Sequence, residues 1–406
     1  SLLTEIAPVI QEIGFTKKNL KSWMKPIKVK QPLSLIGTSN WVQFEGKGKV
    51  LILSPWNYPF RLAMNPIIAA IAAGNSVCLK ASEHSPATTE IMYKILANTK
   101  LHKYIKCFSG GPEVAKTLLD LPFDHIFFTG GTNIGKSIMK QAAQNLTPVT
   151  LELGGKSPTF ILPDADLKTS LQRILWGKFM NAGQTCVAPD YVLLHENQVA
   201  DFKTIATSVL QGFYGENAKT SSSYARMITT AHTAGLIAAI EECSKDSIVY
   251  GGSHDIDTKY IEPSIVLNPS LKSKLMKEEI FGPILPVITY KNIDDAIQTV
   301  KSYDKPLALY VFTENKDHFL QITTTISSGA ALMNTVATHL ANPYLPFGGV
   351  GASGMGKYHG KFGFEELSHL RSYQKIPKLS ALKSFLPPYD KLEKKLESWK
   401  EVLYKL

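Results

Sequence analysis

Three residues of this chain, each set in a stretch that would hold its side chain still, could together act on a carbonyl carbon. Cys186 lies in Asn181-Ala-Gly-Gln-Thr-Cys-Val-Ala-Pro, where Gly183 favours a turn that would expose the thiol and its backbone N–H. A thiolate is a strong nucleophile even where it is a minor species at neutral pH. Glu152 lies in Val149-Thr-Leu-Glu-Leu-Gly-Gly-Lys156. A carboxyl in an apolar strand is costly to bury unless it is used, and burial raises its pKa towards the range of a general base. Asn57, in Ser54-Pro-Trp-Asn-Tyr-Pro59, sits between prolines and aromatics that stiffen the segment. A preorganised amide there could bind an oxyanion. Taken singly, each residue has a plain reading too: an inert buried thiol, a strand-end carboxylate facing solvent, a turn asparagine. Cys78 and Cys107 sit within apolar strands and read as core, and Cys243 as a helix-end residue.

The elements that must position these groups follow an alternating pattern. Apolar runs at 50–54, 76–80, 105–108 and 125–129 read as strands, and an amphipathic stretch at 62–73 closes at Gly74 as a helix. Ser85-Pro86 and Gly111-Pro112 open two more helices, with Ser85 as N-cap. The rhythm resumes after Glu152 with helices at 167–180, after Asn197 and at 294–303, and strands at 191–195, 284–290 and 307–312. Parallel strands need crossovers, so the expected fold is α/β with helices on both sheet faces, in two domains of similar size. No G-x-G-x-x-G follows a strand. Instead Phe128-Thr-Gly-Gly-Thr-Asn-Ile-Gly135 leads from a strand into a helix whose amino end suits a phosphate. Leu392, Leu396, Trp399 and Leu403 predict an apolar helical stripe that packs on this chain or a sister subunit.

Composition narrows the class. The chain has 406 residues, 44% hydrophobic, enough for a large core. Its formal charge of +10 arises from 44 Lys+Arg against 34 Asp+Glu. The basic residues are dispersed and carry no nucleic-acid motif, so nucleic acid is not an expected partner. No apolar run reaches the roughly 18 residues of a membrane span. The four cysteines are dispersed, without disulfide or metal-ligand spacing, which points to no metal and to a reducing, cytoplasmic setting. The chain starts at Ser1 with a helix-like segment under way and no signal-peptide pattern, so preceding residues are expected.

Eight stretches occur together in order: Pro55-Trp-Asn-Tyr-Pro-Phe60, Leu79-Lys-Ala-Ser-Glu83, Phe128-Thr-Gly-Gly131, Leu151-Glu-Leu-Gly-Gly-Lys156, Gly183-Gln-Thr-Cys186, Glu278-Glu-Ile-Phe-Gly-Pro283, Leu345-Pro-Phe-Gly-Gly349 and Gly354-Met-Gly-Lys-Tyr-His-Gly360. Across essentially the whole chain this resembles the aldehyde dehydrogenase superfamily, specifically its class 3, fatty- and aromatic-aldehyde branch. The resemblance implies two doubly wound parallel-sheet domains, a non-classical Rossmann-type cofactor domain and a catalytic domain, with a small β oligomerisation arm. Residues 1–152 would bind NAD, interrupted by the arm at about 31–46. Residues 153–352 would form the catalytic domain, and 353–406 a returning segment and tail. Residues 31–46 and the tail after Tyr373 look like the arm and its partners, and a homodimer is implied.

By the same resemblance Cys186 is the nucleophile, Asn57 with the Cys186 N–H the oxyanion hole, and Glu152 the base that activates water against a thioester. Lys80 and Glu83 would contact the adenosine ribose, and Gly130 and Gly131 the pyrophosphate. Leu153, Glu279 and Phe281 would contact the nicotinamide half. Glu83 should repel a 2′-phosphate and favour NAD, with NADP as a second cofactor. Gly131 stands where the family commonly has Ser, and Ala81 where it has Pro, which predicts a looser turn. A CoA-acylating relative would not need Glu152, and a non-catalytic protein of the fold would not need the three residues together. His359 and His195 have no context for a cysteine hydrolase. Substrate shape is expected to depend on segments around Tyr58, Phe60, 335–339 and the tail.

Overall fold

The computed structural model describes residues 2–32, 35–378 and 386–389, together with residues 397 and 400. The stripe expected at Leu392, Leu396, Trp399 and Leu403 lies outside them. Apolar runs of four or five residues, too short for helices and rich in β-branched side chains, form the strands of two sheets. The first has the order Gly354–Met355, Val149–Glu152, His125–Thr129, Lys49–Leu53, Ser76–Lys80, Ile105–Phe108. It is parallel except for its Gly354–Met355 edge. Strand order reverses between Lys49–Leu53 and His125–Thr129, and a crevice opens at the carboxyl ends of strands at such a switch point.

Alternate residues go to opposite faces. Leu51, Leu53, Ile126, Phe128, Leu151 and Leu153 pack with Ile138 and Ala142 of the helix Thr132–Ala142. Val50, Ile52, Val77, Leu79 and Phe127 pack with Ala63, Ile67 and Ala70 of the helix Arg61–Ala72. The expected helices and strands are present, with ends shifted by a residue or two. Ser85 does occupy the N-cap, but its hydroxyl donates to the Ser82 carbonyl (3.3 Å) rather than serving the helix. Ala81 does not loosen its turn: its N–H, which proline would lack, donates to the Tyr93 hydroxyl (3.3 Å), and that hydroxyl donates to the Phe108 carbonyl (2.6 Å).

The second sheet has seven strands, in the order Ile248–Tyr250, Ser264–Leu267, Ile284–Tyr290, Tyr191–His195, Pro158–Ile161, Ala308–Phe312, Ala330–Met333. All but the first are parallel. After it the chain returns to the first sheet, where the helix Gly360–Glu366 buries Phe364. A third, antiparallel sheet joins Ile27–Lys28, Ser39–Gly46 and Ser368–Lys375, with Trp41 stacked on Tyr373 at 5.2 Å. The arm's partner strand thus starts at Ser368, ahead of the expected Tyr373, because the chain turns into the strand directly after that helix. No described helix is long and apolar enough to cross a membrane.

A buried ion pair fastens one loop of the second sheet. The Lys156 ammonium meets the Asp190 carboxylate and also donates to the carbonyls of Leu275 (2.8 Å) and Glu278 (2.9 Å). The second Asp190 oxygen accepts the Ile280 N–H (3.0 Å). Lys156 and Asp190 are 8% and 3% exposed, so removing one partner strands a buried charge. We expect Lys156→Met to lower the unfolding free energy by about 3–5 kcal/mol in urea titrations; a loss below about 1 kcal/mol would put the pair in the class of weak surface bridges.

Candidate functional site

The strands of the first sheet end in the residues singled out from the sequence. Leu53 leads through Ser54-Pro-Trp to Asn57, Lys80 ends its strand, Thr129 precedes Gly130, and Glu152 closes its strand directly beside Thr129. Glu152 shares its face of the sheet with Thr150 and Phe127, opposite Leu151 and Leu153, so its side chain enters the space between the sheets.

Cys186 arrives from the second domain through an unusual turn. After the helix Leu167–Phe179, Asn181, Ala182 and Gly183 all adopt left-handed backbone, with φ of 53°, 52° and 75°. A Cβ on Gly183 would lie 2.2 Å from the Gly282 carbonyl oxygen, so this position admits glycine alone. The Gln184 side chain ties the turn down by donating to the Asn181 and Arg226 carbonyls (3.0 and 3.1 Å) and accepting the Ile228 N–H (2.9 Å). Asn57 is bound into the same turn. Its amide nitrogen donates to the Gln184 carbonyl (3.0 Å), and its own carbonyl accepts from the Asn181 amide (3.0 Å). One Asn57 N–H is therefore used for positioning, and the second is left for a ligand.

Cys186 and Glu152 both line two cavities that meet at them. One is largely apolar, bounded by Leu62, Met180, Leu340, Phe347 and the rings of Tyr58 and Tyr358. The other is bounded by Trp56, Asn57, Gly130, Gly131, Glu279 and Phe281. Leu62, Thr129 and Leu153 also belong to both. Cys186 is half-buried at this wall and Glu152 is 3% exposed. Neither Glu152 oxygen has a hydrogen-bond partner among the described residues, and burial, aided by the charge of Glu366, holds its pKa well above the usual carboxylate range. Behind it a relay with a buried centre and half-buried ends runs from the Lys47 ammonium to His125 Nδ1 (3.0 Å), from His125 Nε2 to Thr150 Oγ1 (2.8 Å), and from Thr150 to Glu366 (2.6 Å). Lysine can only donate, so His125 Nε2 carries the ring proton. Burial and Lys47 push His125 down to about 3, which keeps the ring neutral. The Cys186 thiol is pushed up to about 12, chiefly by burial and then by Glu279 and Glu152.

The second cavity carries features that fit a dinucleotide. Gly131 stands at the amino end of the helix Thr132–Ala142, where no side chain caps the first turn, and nothing lies within 4 Å of where its Cβ would be. Exposed N–H groups at such an end suit a pyrophosphate. Glu279 lies against Gly154, where a Cβ would come within 2.0 Å of its carboxyl. Burial and then Asp190 raise the Glu279 pKa to about 8, against the Gly155 N–H, Lys156 and Lys178. Phe281 takes a left-handed φ of 47° and packs edge-on to Trp56 at 5.6 Å. Lys80 and Glu83 lie apart from this cavity and form an ion pair of 2.7 Å. Glu83 lines a separate surface groove with Pro86 and Tyr93. Burial raises the Glu83 pKa, but the hydrogen bond and charge of Lys80 outweigh it and bring it below the ordinary value.

Of the segments expected to shape a substrate site, Tyr58 lines the apolar cavity, its hydroxyl bonded to Thr185 (2.8 Å). Phe60 and residues 335–339 do not line it; Leu340 and Phe347 take their place. The sequence gives no role to Lys178, which is fully buried, has no partner for its ammonium among the described residues, and is lowered to about 8, first by burial. Its signal was there: it lies one helical turn from the core residues Ile174 and Leu175, on the inward face. Arg61 was passed over too, because the first residue of a helix gives no sign of facing a cavity. Among the described residues no group of three or more His, Cys, Asp or Glu side chains is placed to hold a metal ion.

Comparison with known proteins identifies the family. The chain is 44% identical over 388 residues to a 4,4′-diaponeurosporen-aldehyde dehydrogenase of Staphylococcus aureus, covering 95% of this chain and 84% of that one. It is 42% identical over 372 residues to a dimeric, NADP-preferring aldehyde dehydrogenase of Mus musculus, covering 92% and 82%. The solved structure of Staphylococcus aureus AldH in a substrate-bound state superposes with a TM-score of 0.94 at 42% identity, covering 98% of this chain and 86% of that one. A profile described as the aldehyde dehydrogenase family matches residues 2–373. The chain therefore belongs to the aldehyde dehydrogenase family and is an enzyme that oxidises aldehydes.

Proposed function

We propose that this enzyme converts aldehydes to carboxylic acids with NAD as the favoured cofactor and NADP as a second, through covalent attachment to Cys186. The observation that carries the reading is the wall shared by the two cavities: one thiol and one unpaired carboxyl lie between an apolar chamber and a chamber suited to a dinucleotide. The aldehyde enters the apolar side. Cys186 gives its thiol proton to water in the chamber as its sulfur adds to the carbonyl carbon and the carbonyl electron pair moves to oxygen. The resulting oxyanion receives the spare Asn57 N–H and the Cys186 backbone N–H. NAD, when bound, supplies the acceptor for the hydride lost from that carbon. Gly130, Gly131 and the helix end behind them would hold its pyrophosphate, Lys80 and Glu83 its adenosine ribose, and Leu153, Glu279 and Phe281 its other half. The charge on Glu83 disfavours a 2′-phosphate.

Oxidation leaves a thioester on Cys186. Glu152 takes a proton from a water molecule as its oxygen attacks the thioester carbonyl. The carbon–sulfur bond breaks, the acid departs, and the proton taken up by Glu152 passes to the thiolate, restoring both groups. A partnerless carboxyl with a raised pKa is suited to this proton transfer, which a CoA-acylating enzyme would not require. We assign residues 1–152, apart from the arm, to cofactor binding, 153–352 to catalysis, and 353–406 to the return and tail. The arm, which exposes Ile27 and Leu370 beside its hydrogen-bonded edge, would join two copies as a homodimer, and the four free cysteines fit a reducing, cytoplasmic setting.

Cys186→Ala should abolish aldehyde oxidation while NAD still binds. Glu152→Gln should keep a burst of NADH followed by turnover slowed about 100-fold or more; loss of the burst with normal thiol alkylation would move Glu152 into the first step, and acyl-CoA as the product would replace the hydrolytic reading. In the free protein, iodoacetamide should label Cys186 about tenfold faster per pH unit through the alkaline range, since only the thiolate reacts. A plateau near pH 8 would show instead that the resting site stabilises the thiolate. Glu152 also bears on stability. Because its folded pKa is raised, the unfolded chain binds fewer protons than the folded one between about pH 4.5 and that raised value, so its burial costs stability as pH rises. The Tm advantage of Glu152→Gln over the parent should therefore grow with pH, and an advantage that shrinks would contradict the assigned shift.

A further inference from the structure

The structure assigns to Arg61 an anion-binding subsite at the substrate chamber, so that the enzyme prefers aldehydes bearing a carboxylate at the end of an apolar spacer, namely ω-oxo acids, over neutral alkanals. This rests on the reading of the apolar chamber as the aldehyde site.

Arg61 is the first residue of the helix Arg61–Ala72, whose first turn has no acidic side chain. The amino end of a helix already carries partial positive charge and ordinarily attracts Asp or Glu, so a cation here is unfavourable by itself. It is also half-buried, and among the described residues no carboxylate lies within 4.0 Å of it. The two nearby acids are engaged elsewhere: Glu5 accepts the Phe60 N–H (2.8 Å) and Glu12 accepts the Gly360 N–H (2.7 Å). Burial raises the Glu12 pKa, which weakens its charge. One guanidinium nitrogen donates to the Leu340 carbonyl (2.7 Å), leaving most of the five donors without a protein acceptor among the described residues.

Position supplies the function. Arg61 lines the chamber that contains Cys186, and it also lines a small adjoining cavity with Asn65 and His359. Neither ring nitrogen of His339, 7% exposed and within the field of Arg61, has a partner among the described residues, and the neutral ring keeps one N–H free to donate to an anion. Burial, then Arg61, push His339 and His359 down to about 4 and 3, so both are neutral and Arg61 is the local positive charge. An apolar chamber with the nucleophile at one place and a forked cation on its wall can hold a carbonyl and a carboxylate at once. A guanidinium matches a carboxylate through two parallel hydrogen bonds, and an anion would also settle the helix end.

The test compares kcat/KM for a homologous series of ω-oxo acids with that for n-alkanals of equal length. The parent enzyme should favour the oxo acid at some spacer length, with a KM that rises with salt. Arg61→Leu should lower the ratio of oxo acid to alkanal roughly 10- to 100-fold through KM, and Arg61→Lys should restore part of it. Equal or greater parent activity on the alkanal at every length overturns the subsite without any variant, as does an equal loss on both substrates in Arg61→Leu, which would make Arg61 a support for the Leu340 segment. If the parent oxidises neither series, the chamber reading itself is wrong, and the two failures are thereby distinguished.

Discussion

A carboxyl group held out of water with no hydrogen-bond partner is the most demanding feature of this molecule. Burying an unpartnered polar group costs on the order of 1–3 kcal/mol, and more once it is charged. Glu152 is 3% exposed and both its oxygens are partnerless. The surroundings are consistent with keeping it so. Leu153 and Leu62 close one side, Tyr358 stands nearby, and Glu366, fixed by Thr150 at the end of the His125 relay, adds a like charge rather than a counter-ion. Burial therefore favours the protonated carboxyl at rest, and the same burial makes the ionised form a stronger base towards water than an exposed carboxylate.

The same logic governs the thiol. Cys186 is raised by burial and by two carboxyls, the reverse of the depressed thiols that sit at helix ends or beside cations. Its placement depends instead on backbone geometry. Three consecutive left-handed residues are rare and strained for all but glycine, and they persist here because Gln184, Asn57 and Gly282 surround them on every side. The strain is distributed over two domains, since Asn57 follows a strand of the first sheet and the turn itself belongs to the second. The site exists only while both sheets stay in register with each other.

That register is secured by contacts that run directly into the site. The Lys156–Asp190 pair ties the Glu279 loop to the segment that enters the second sheet, and the returning strand Gly354–Met355 pairs with Val149–Glu152 at the residue that ends in the carboxyl. The backbone N–H of Leu153 donates to the Ser353 carbonyl (3.1 Å), which continues that pairing past the strand. A chain that runs through both domains and comes back to clamp the first makes the interdomain crevice a property of the whole fold rather than of one loop.

Much of this was legible in the residues. Short, nearly continuous apolar runs bounded by glycine and proline mark the strands and their order in the chain. Cys186, Glu152 and Asn57 each allow a plain reading alone, and stand out through the eight stretches that occur together in order. Local pattern reaches no further than the element that carries it. It could not show that Ala81 recovers a hydrogen bond a proline would forgo, since Tyr93 comes near only when the following helix folds back. Nor could it place Arg61 on a cavity, or leave Lys178 and Glu152 partnerless, because having a partner depends on what distant strands bring within about 3 Å. Residue types determined which chemistry was possible here. Long-range packing alone decided which of those groups lost their water, and desolvation is what moved Glu152, Cys186 and Lys178 away from their ordinary proton affinities.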